Sequence, residues 1–314
     1  MHVYHSNHAL PTWVSWAHSE ITTQAKKVIM TQTNNKILVV GATGTVGSEL
    51  VKLLVASGET VKAATRNPNH DLGPGVDPVL YDFDDPRTFD GALKDVDRVF
   101  YLSRTADPLA AVVAEPLFEK AADLGVKHIV NMSALGVEAD DRISLRQVEL
   151  LIEQSGIHFT TLRPNWFMQN FVSGFINDML REKNALYIPA GDSAVSFIDV
   201  RDIAAVAAKI LTTKGHENKI YALTGGEAFT HDQVVEKLAD VTKRDLTYAA
   251  IGEDDMRAAL KAQGLPDAPI AFMVGLFSRL RDGLNAPVST DVEQILGHTP
   301  RTLANFVQEF SGSF

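Results

Sequence analysis

The segment KILVV, followed at once by GATGTVG and then by SELVKLLVASG, most constrains what this chain folds into. Residues 36–42 form a short, apolar, β-branched run that reads as a buried strand. Leu50, Leu53 and Leu54 recur at helical spacing before Gly58, a candidate C-cap. Between the two lie Gly41, Gly44 and Gly47. A strand, a spaced glycine trio and a helix make the layout of a dinucleotide-binding turn. Gly41 allows the tight turn, Gly44 lets backbone approach a pyrophosphate, and Gly47 lets helix and strand pack closely. The backbone N–H groups that open the helix point at the anion.

The same alternation continues for more than a hundred residues. Strands are expected at 60–67, 78–84, 97–103, 128–134 and 158–164, with helical stretches at 86–94, 109–125 and 142–155. That rhythm argues for a Rossmann-type α/β fold, a doubly wound parallel sheet with helices on both faces. Ligands of such sheets bind beyond the carboxyl ends of the strands. After Pro164 the pattern changes. Residues 165–184 read as an aromatic-rich helix, 194–211 as a strand feeding a helix, and 219–226 as another strand. Thr230-His231-Asp232-Gln233 and Thr290-Asp291-Val292-Glu293 both have capping-box spacing. The expected organisation is a nucleotide-binding domain over 35–164, completed by about 194–225. A smaller α-rich substrate lobe then comes from 165–193 and 226–314.

Residues 1–34 stand apart as a flexible N-terminal extension. The regular pattern starts only at Lys36, which makes Met30 a candidate translation start and the tail dispensable. His2, His5, His8 and His18 lie in this segment with no carboxylate or cysteine pattern to support a metal site. The chain has no cysteine at all, which excludes disulfides, thiolate metal sites and cysteine nucleophiles. Asp and Glu outnumber Lys and Arg by 39 to 29, and the formal net charge of -10 argues against nucleic-acid binding. With neither a secretory signal nor a membrane-spanning run, a cytoplasmic protein is expected.

The second strand indicates which dinucleotide is taken. A carboxylate at its end would pair with a ribose 2′-hydroxyl. Here the strand ends Ala64-Thr65-Arg66-Asn67. Arg66 suits a 2′-phosphate bidentately, so NADP(H) is expected in preference to NAD(H), the alternative being a solvated surface arginine.

These residues, with further landmarks, resemble a known family. DFDD at 82–85, FYLS at 100–103, KHIVNMSALG at 127–136, EQSGIHFTTLRPNWFMQN at 153–170, SFIDVRDIA at 196–204 and STDVEQILGHTPRTLANFV at 289–307 are similar to the NmrA-like branch of the atypical short-chain dehydrogenases/reductases. That branch also holds quinone and triphenylmethane-dye reductases. The resemblance covers 36–310. It implies that Gly41, Thr43, Gly44, Thr45 and Val46, with Gly47, hold the pyrophosphate, and that Arg66 meets the adenosine phosphate. It places Asp82 and Phe83 beside the adenine, Leu102 and Ser103 along the ribose, and Met132 and Ser133 on the nicotinamide side. Pro164 and Trp166 lie beyond.

One departure bears on mechanism. The superfamily's Tyr-x-x-x-Lys pair occurs nowhere in this chain. With Glu149 aligned to the family's helical glutamate, the lysine position falls on Leu145 and the tyrosine position on Asp141. Arg146 lies about 100° round the helix from 145. Without that proton donor, an alkoxide-forming ketone reduction is disfavoured. Hydride transfer to a quinone or a cationic dye asks only for positioning and exclusion of water. Ser133 is the candidate catalytic residue, either donating one hydrogen bond or simply capping the sheet edge. Asn165, Trp166, Phe167, Gln169, Asn170 and Phe171 are the candidate substrate residues, although aromatics at helical spacing also suit a core. Asp199 and Asp202 read as structural, with Asp202 capping the next helix. No metal is expected. The reading is an NADPH-dependent oxidoreductase of a small, electron-poor, aromatic acceptor such as a quinone. The second reading is a non-enzymatic NADP(H) sensor acting on a protein partner. Oligomeric state is not legible.

Overall fold

The structure, a computed structural model, describes residues 36–69, 71–104 and 106–314. The expected N-terminal extension lies outside the described residues. Among the described residues nine strands follow in chain order: β1 (Lys36–Val39), β2 (Val61–Thr65), β3 (Val76–Leu80), β4 (Val96–Leu102), β5 (His128–Met132), β6 (His158–Pro164), β7 (Ala185–Ile188), β8 (Lys219–Leu223) and β9 (Thr247–Ala250). Seven form one parallel sheet in the order β3-β2-β1-β4-β5-β6-β8, and β7 pairs with β9 separately. The chain therefore winds outward twice, and the winding reverses between β1 and β4. This is the expected α/β doubly wound fold.

Period-two alternation on the strands builds two cores. One face carries Ile37, Val39, Ala63, Phe100, Val130 and Leu162. It is covered by α1 (Thr45–Ala56), through Leu50, Val51 and Leu54, and by a later helix, Val200–Thr212, through Ile203, Ala207 and Ile210. The other face carries Leu38, Val99, Tyr101 and Ile129. Past the short α2 (Phe89–Leu93), it lies beneath α3 (Ala110–Asp123) and α4 (Ser144–Gln154), which contribute Leu117, Phe118, Val148 and Ile152. Each fully buried Leu or Phe contributes roughly 1.5–3 kcal/mol relative to its exposed state. β2 also carries one buried cation. Lys62 Nζ donates to the carbonyls of Gly91 (2.6 Å) and Lys94 (3.0 Å), so a strand residue caps the C-terminus of α2.

A third apolar cluster gathers the later elements. They are α5 (Gly174–Lys183), α6 (Val200–Thr212), α7 (His231–Thr242), α8 (Glu253–Ala262), α9 (Asp267–Arg281), α10 (Asp291–Leu296) and α11 (Leu303–Glu309). All but α6 and α10, which pack on the main sheet, supply this cluster. Among the described residues no helix is long and apolar enough to cross a membrane.

Several local readings are corrected. The expected helix over 165–184 is a 3-10 turn at Met168–Phe171 followed by α5, broken where Gly174 takes φ +75°. Residues 194–199 do not form a strand of the sheet. They make isolated bridges, Phe167 with Ile198 and Val195 with Phe229. β7 and β9 were not anticipated: they are as short as the four-residue β1 but have no glycine loop beside them to mark them. The box at Thr230 forms in full, with Gln233. At Thr290 no side-chain cap forms; the Gln294 side chain takes the Thr290 hydroxyl instead. Asp199, not Asp202, caps α6, accepting from the Arg201 N–H at 2.9 Å. Asp202 accepts from the backbone and guanidinium of Arg301.

Candidate functional site

The glycine loop lies where the winding reverses. Its geometry is that of three different glycines. Gly41 has φ +73°, a left-handed conformation that side chains rarely adopt, and its missing Cβ would meet Leu102 Cδ2 at 2.9 Å. Gly47 is set by packing, since a Cβ there would stand 2.1 Å from the Gly41 carbonyl oxygen. Gly44 donates its N–H to that same oxygen at 2.9 Å and occupies the N-cap of α1. α1 has no side-chain cap and no acidic residue in its first turn. Thr43, Gly44 and Thr45 are exposed while Val46 is buried. The loop therefore offers open N–H groups and the positive end of a helix dipole, the environment an anion needs.

Strand register brings the other expected cofactor residues to this edge. β1 and β2 pair Val39 with Ala63, so Thr65 and Arg66 stand beside Gly41. Arg66 is exposed, and among the described residues no acidic group pairs with it. β2 and β3 pair Thr65 with Leu80, which leads to Asp82 and Phe83. The Asp82 carboxylate accepts from the Asp84 N–H at 3.0 Å, closing its own turn. Phe83 packs edge-on against Tyr81, and the Arg104 guanidinium lies 5.6 Å from its ring. Arg104 is itself held by Asp84 and Asp107. β4, β5 and β6 align Leu102 with Met132 and Met132 with Leu162, so Ser103, Ser133 and Pro164 share the edge.

Ser133 is nearly fully buried, and its N–H donates to the Leu162 carbonyl at 2.8 Å. Its hydroxyl faces the Glu149 carboxylate on α4. Arg163 grips Glu149 bidentately at 2.7 and 3.0 Å, and Arg146 adds a bond of 2.9 Å. Burial alone would push the Glu149 carboxyl up. Hydrogen bonds from Arg163 and Arg146, with the Ser133 hydroxyl nearby, outweigh it and hold the carboxyl below its ordinary value. Arg163 follows Thr161 by two on β6, so period-two alternation could have flagged a charge aimed at the buried face; its partner could not be read.

The expected substrate residues separate. Asn165 is buried, its amide spent on Ser196 Oγ, the Asn285 carbonyl and the Asn285 amide. Gln169 is spent on Asp199 and the Val200 N–H. Phe171 lies in the third core, edge-on to Phe197 at 5.2 Å. These three frame the cleft without facing it. Trp166, Phe167 and Asn170 keep partial exposure. Trp166 packs on Phe277 of α9 at 5.3 Å, and the exposed Phe175 meets the same ring at 6.1 Å. Arg279 of α9 reaches the Gly136 carbonyl, beyond β5, at 2.9 Å. Helix α9 thus backs Trp166 and Phe175 with the buried ring of Phe277 and ties Arg279 to the loop after β5, contacts that the sequence does not reveal.

Comparison with known proteins agrees with this geometry. The chain is 34% identical to an NAD(P)H azoreductase of Xenophilus azovorans over 88% of its length and 99% of the relative's. It is 35% identical to a (4-alkanoyl-5-oxo-2,5-dihydrofuran-3-yl)methyl phosphate reductase of Streptomyces griseus, again over 88% and 99%. Among solved structures, an NADPH-dependent quinone oxidoreductase of Escherichia coli complexed with NADPH superposes with a TM-score of 0.79 at 27% identity, covering 87% of this chain and 99% of that one. The NmrA-like family model matches residues 33–285, and the chain belongs to the NmrA-like family.

Proposed function

We propose that this protein is an NAD(P)H-dependent oxidoreductase that takes NADPH in preference to NADH and reduces a small, electron-poor, conjugated acceptor such as a quinone. The observation that carries the reading is the open glycine cradle at the reversal of the sheet, with Arg66 beside it and without an acidic partner among the described residues. The residues present fit the cofactor. The loop at 41–47 would hold the pyrophosphate, Arg66 the 2′-phosphate, Phe83 the adenine, Ser103 the ribose, and Met132 and Pro164 the nicotinamide side. When bound, the nicotinamide supplies a hydride at the carboxyl ends of β5 and β6. The chain's own contribution is then positional. Trp166, with Phe277 and Phe175, forms an aromatic wall for a flat acceptor and excludes water. Ser133 would donate to the acceptor, with Glu149 kept ionised behind it. The azo, enone and quinone chemistry in the names of the relatives supports a conjugated acceptor.

The test is a panel of quinones, dyes and simple ketones with NADPH, following nicotinamide absorbance. Turnover of conjugated acceptors with little on aliphatic ketones is expected. Rapid reduction of a plain ketone would reveal a strong acid and overturn the mechanism. Tight NADPH binding without any turnover, together with protease sensitivity that differs between NADPH and NADP⁺, would move the assignment to a sensor.

A further inference from the structure

The centre of the sheet carries a polar row that the fold does not need. Register pairs Tyr101 with Asn131 and Asn131 with Thr161, so the three lie side by side across β4, β5 and β6 on the face beneath α3 and α4. All three are at most 1% exposed. Two residues further along the same strands come Ser103, Ser133 and Arg163, at the carboxyl edge. Tyr101 Oη, Asn131 Nδ2, Thr161 Oγ1, Ser103 Oγ and Ser133 Oγ find no hydrogen-bond partner among the described residues. Ser103 faces Tyr101, and Ser133 faces Glu149, outside hydrogen-bond geometry. Folded interiors leave few polar atoms unpaired, and ordered water commonly serves the exceptions. Two residues along a strand span about 6.6 Å. Two waters in series, with hydrogen bonds of about 2.8 Å, bridge that distance.

We propose that Tyr101, Asn131 and Thr161 hold a chain of ordered water beneath Ser133, and that this chain carries the proton that accompanies hydride to the acceptor. The proposal rests on the reductase reading. Hydride transfer itself asks only for positioning, with Asp141 and Leu145 where alignment on Glu149 puts the superfamily's tyrosine and lysine; the relay serves the proton that a quinone takes and a cationic dye does not. Reduction of a quinone to a hydroquinone takes one hydride and one proton. As hydride reaches the quinone, the Ser133 O–H bond breaks and its proton goes to the acceptor oxygen. The bond re-forms with a proton from the water below, and that water is replenished from solvent along the row past half-buried Ser103. The Glu149 carboxylate, held ionised by Arg163 and Arg146, does not supply the proton. Tyr101, Asn131 and Thr161 are positioning residues for the water and touch neither acceptor nor cofactor.

The test uses the full chain. A crystal structure of the wild type resolving solvent should show water within hydrogen-bond distance of Asn131 Nδ2 and Thr161 Oγ1; a dry row overturns the proposal. Tyr101→Phe and Thr161→Val each delete only a hydroxyl or exchange it for a methyl. Each is assayed with NADPH against a naphthoquinone and a cationic triphenylmethane dye, whose reduction by hydride gives a neutral product without a proton. The quinone rate should fall about tenfold or more relative to the dye rate. An equal change in both rates shows a structural role and overturns the relay, as does a wild type that reduces only the dye. A wild type that reduces neither overturns the reductase reading itself, and the relay with it.

Discussion

Arg66 is exposed beside the glycine loop with no acidic partner among the described residues. Its charge costs the free protein nothing to keep and is available to a 2′-phosphate. Arg66→Ala should leave stability unchanged and weaken NADPH binding by roughly 10–150-fold, the loss of about 1.5–3 kcal/mol for a charge-assisted contact. NADH binding should barely change, and titration of both nucleotides by fluorescence checks it. Equal affinities for the two in the wild type would remove the assigned role. The neighbouring glycines separate binding from folding. In Gly47→Ala the new Cβ would stand 2.1 Å from the Gly41 carbonyl, so α1 must shift away from β1. A loss of about 1–3 kcal/mol in urea unfolding is expected, because overpacking a fixed helix–strand contact admits no easy relief. In Gly44→Ala the nearest atom is 3.2 Å away on an exposed surface, so cofactor binding should suffer more than stability.

At the scale of elements, what the sequence makes legible follows the length of each element's pattern. β2 to β6 and their helices lie in apolar runs long enough to show a period, while the four-residue β1 is marked by the loop that follows it. The glycine loop announces its neighbours by spacing alone. β7 and β9 are too short to do so, and residues 194–199 have strand composition but are drawn away by Trp166, Phe229 and Asn285. Side-chain destinations are the least legible. Asn165, Gln169 and Phe171 have the chemistry of substrate contacts, and only the fold shows that two are spent on buried hydrogen bonds and one on a core. The Glu149–Arg163 pair joins α4 to β6 across fourteen residues of sequence. Its removal is a test of element packing. Arg163→Met leaves a fully buried carboxylate with Arg146 as its remaining partner, and should cost about 3 kcal/mol. The variant should also loosen Ser133, so the quinone rate drops while NADPH still binds. Denaturant unfolding and a nucleotide titration together distinguish this from simple loss of fold.

The whole molecule carries a pH dependence set at a buried histidine beside the third core. His231, the first residue of α7, is 1% exposed, and neither ring nitrogen has a partner among the described residues. It lies edge-on to Phe197 and against Tyr248, at 5.5 and 5.6 Å. Burial pushes its pKa down to about 4, so the folded protein holds it neutral. The unfolded chain takes up a proton there near pH 6.5. Between those values only the unfolded state is protonated, so the stability this site contributes is present above pH 6.5 and is lost as pH falls toward 4. The full loss is about 3 kcal/mol, with a slope near 1.4 kcal/mol per pH unit. His128, buried against Thr160, and His216, beside Tyr221, are also held below their ordinary values by burial, and steepen the same window. His231→Leu removes the largest of these without leaving an unpaired ring in the core. Urea midpoints at pH 7 and pH 5 should therefore lie closer together in the variant than in the wild type. An unchanged gap between the two midpoints would mean that His231 finds a partner in solution and that the acid sensitivity arises at the other histidines.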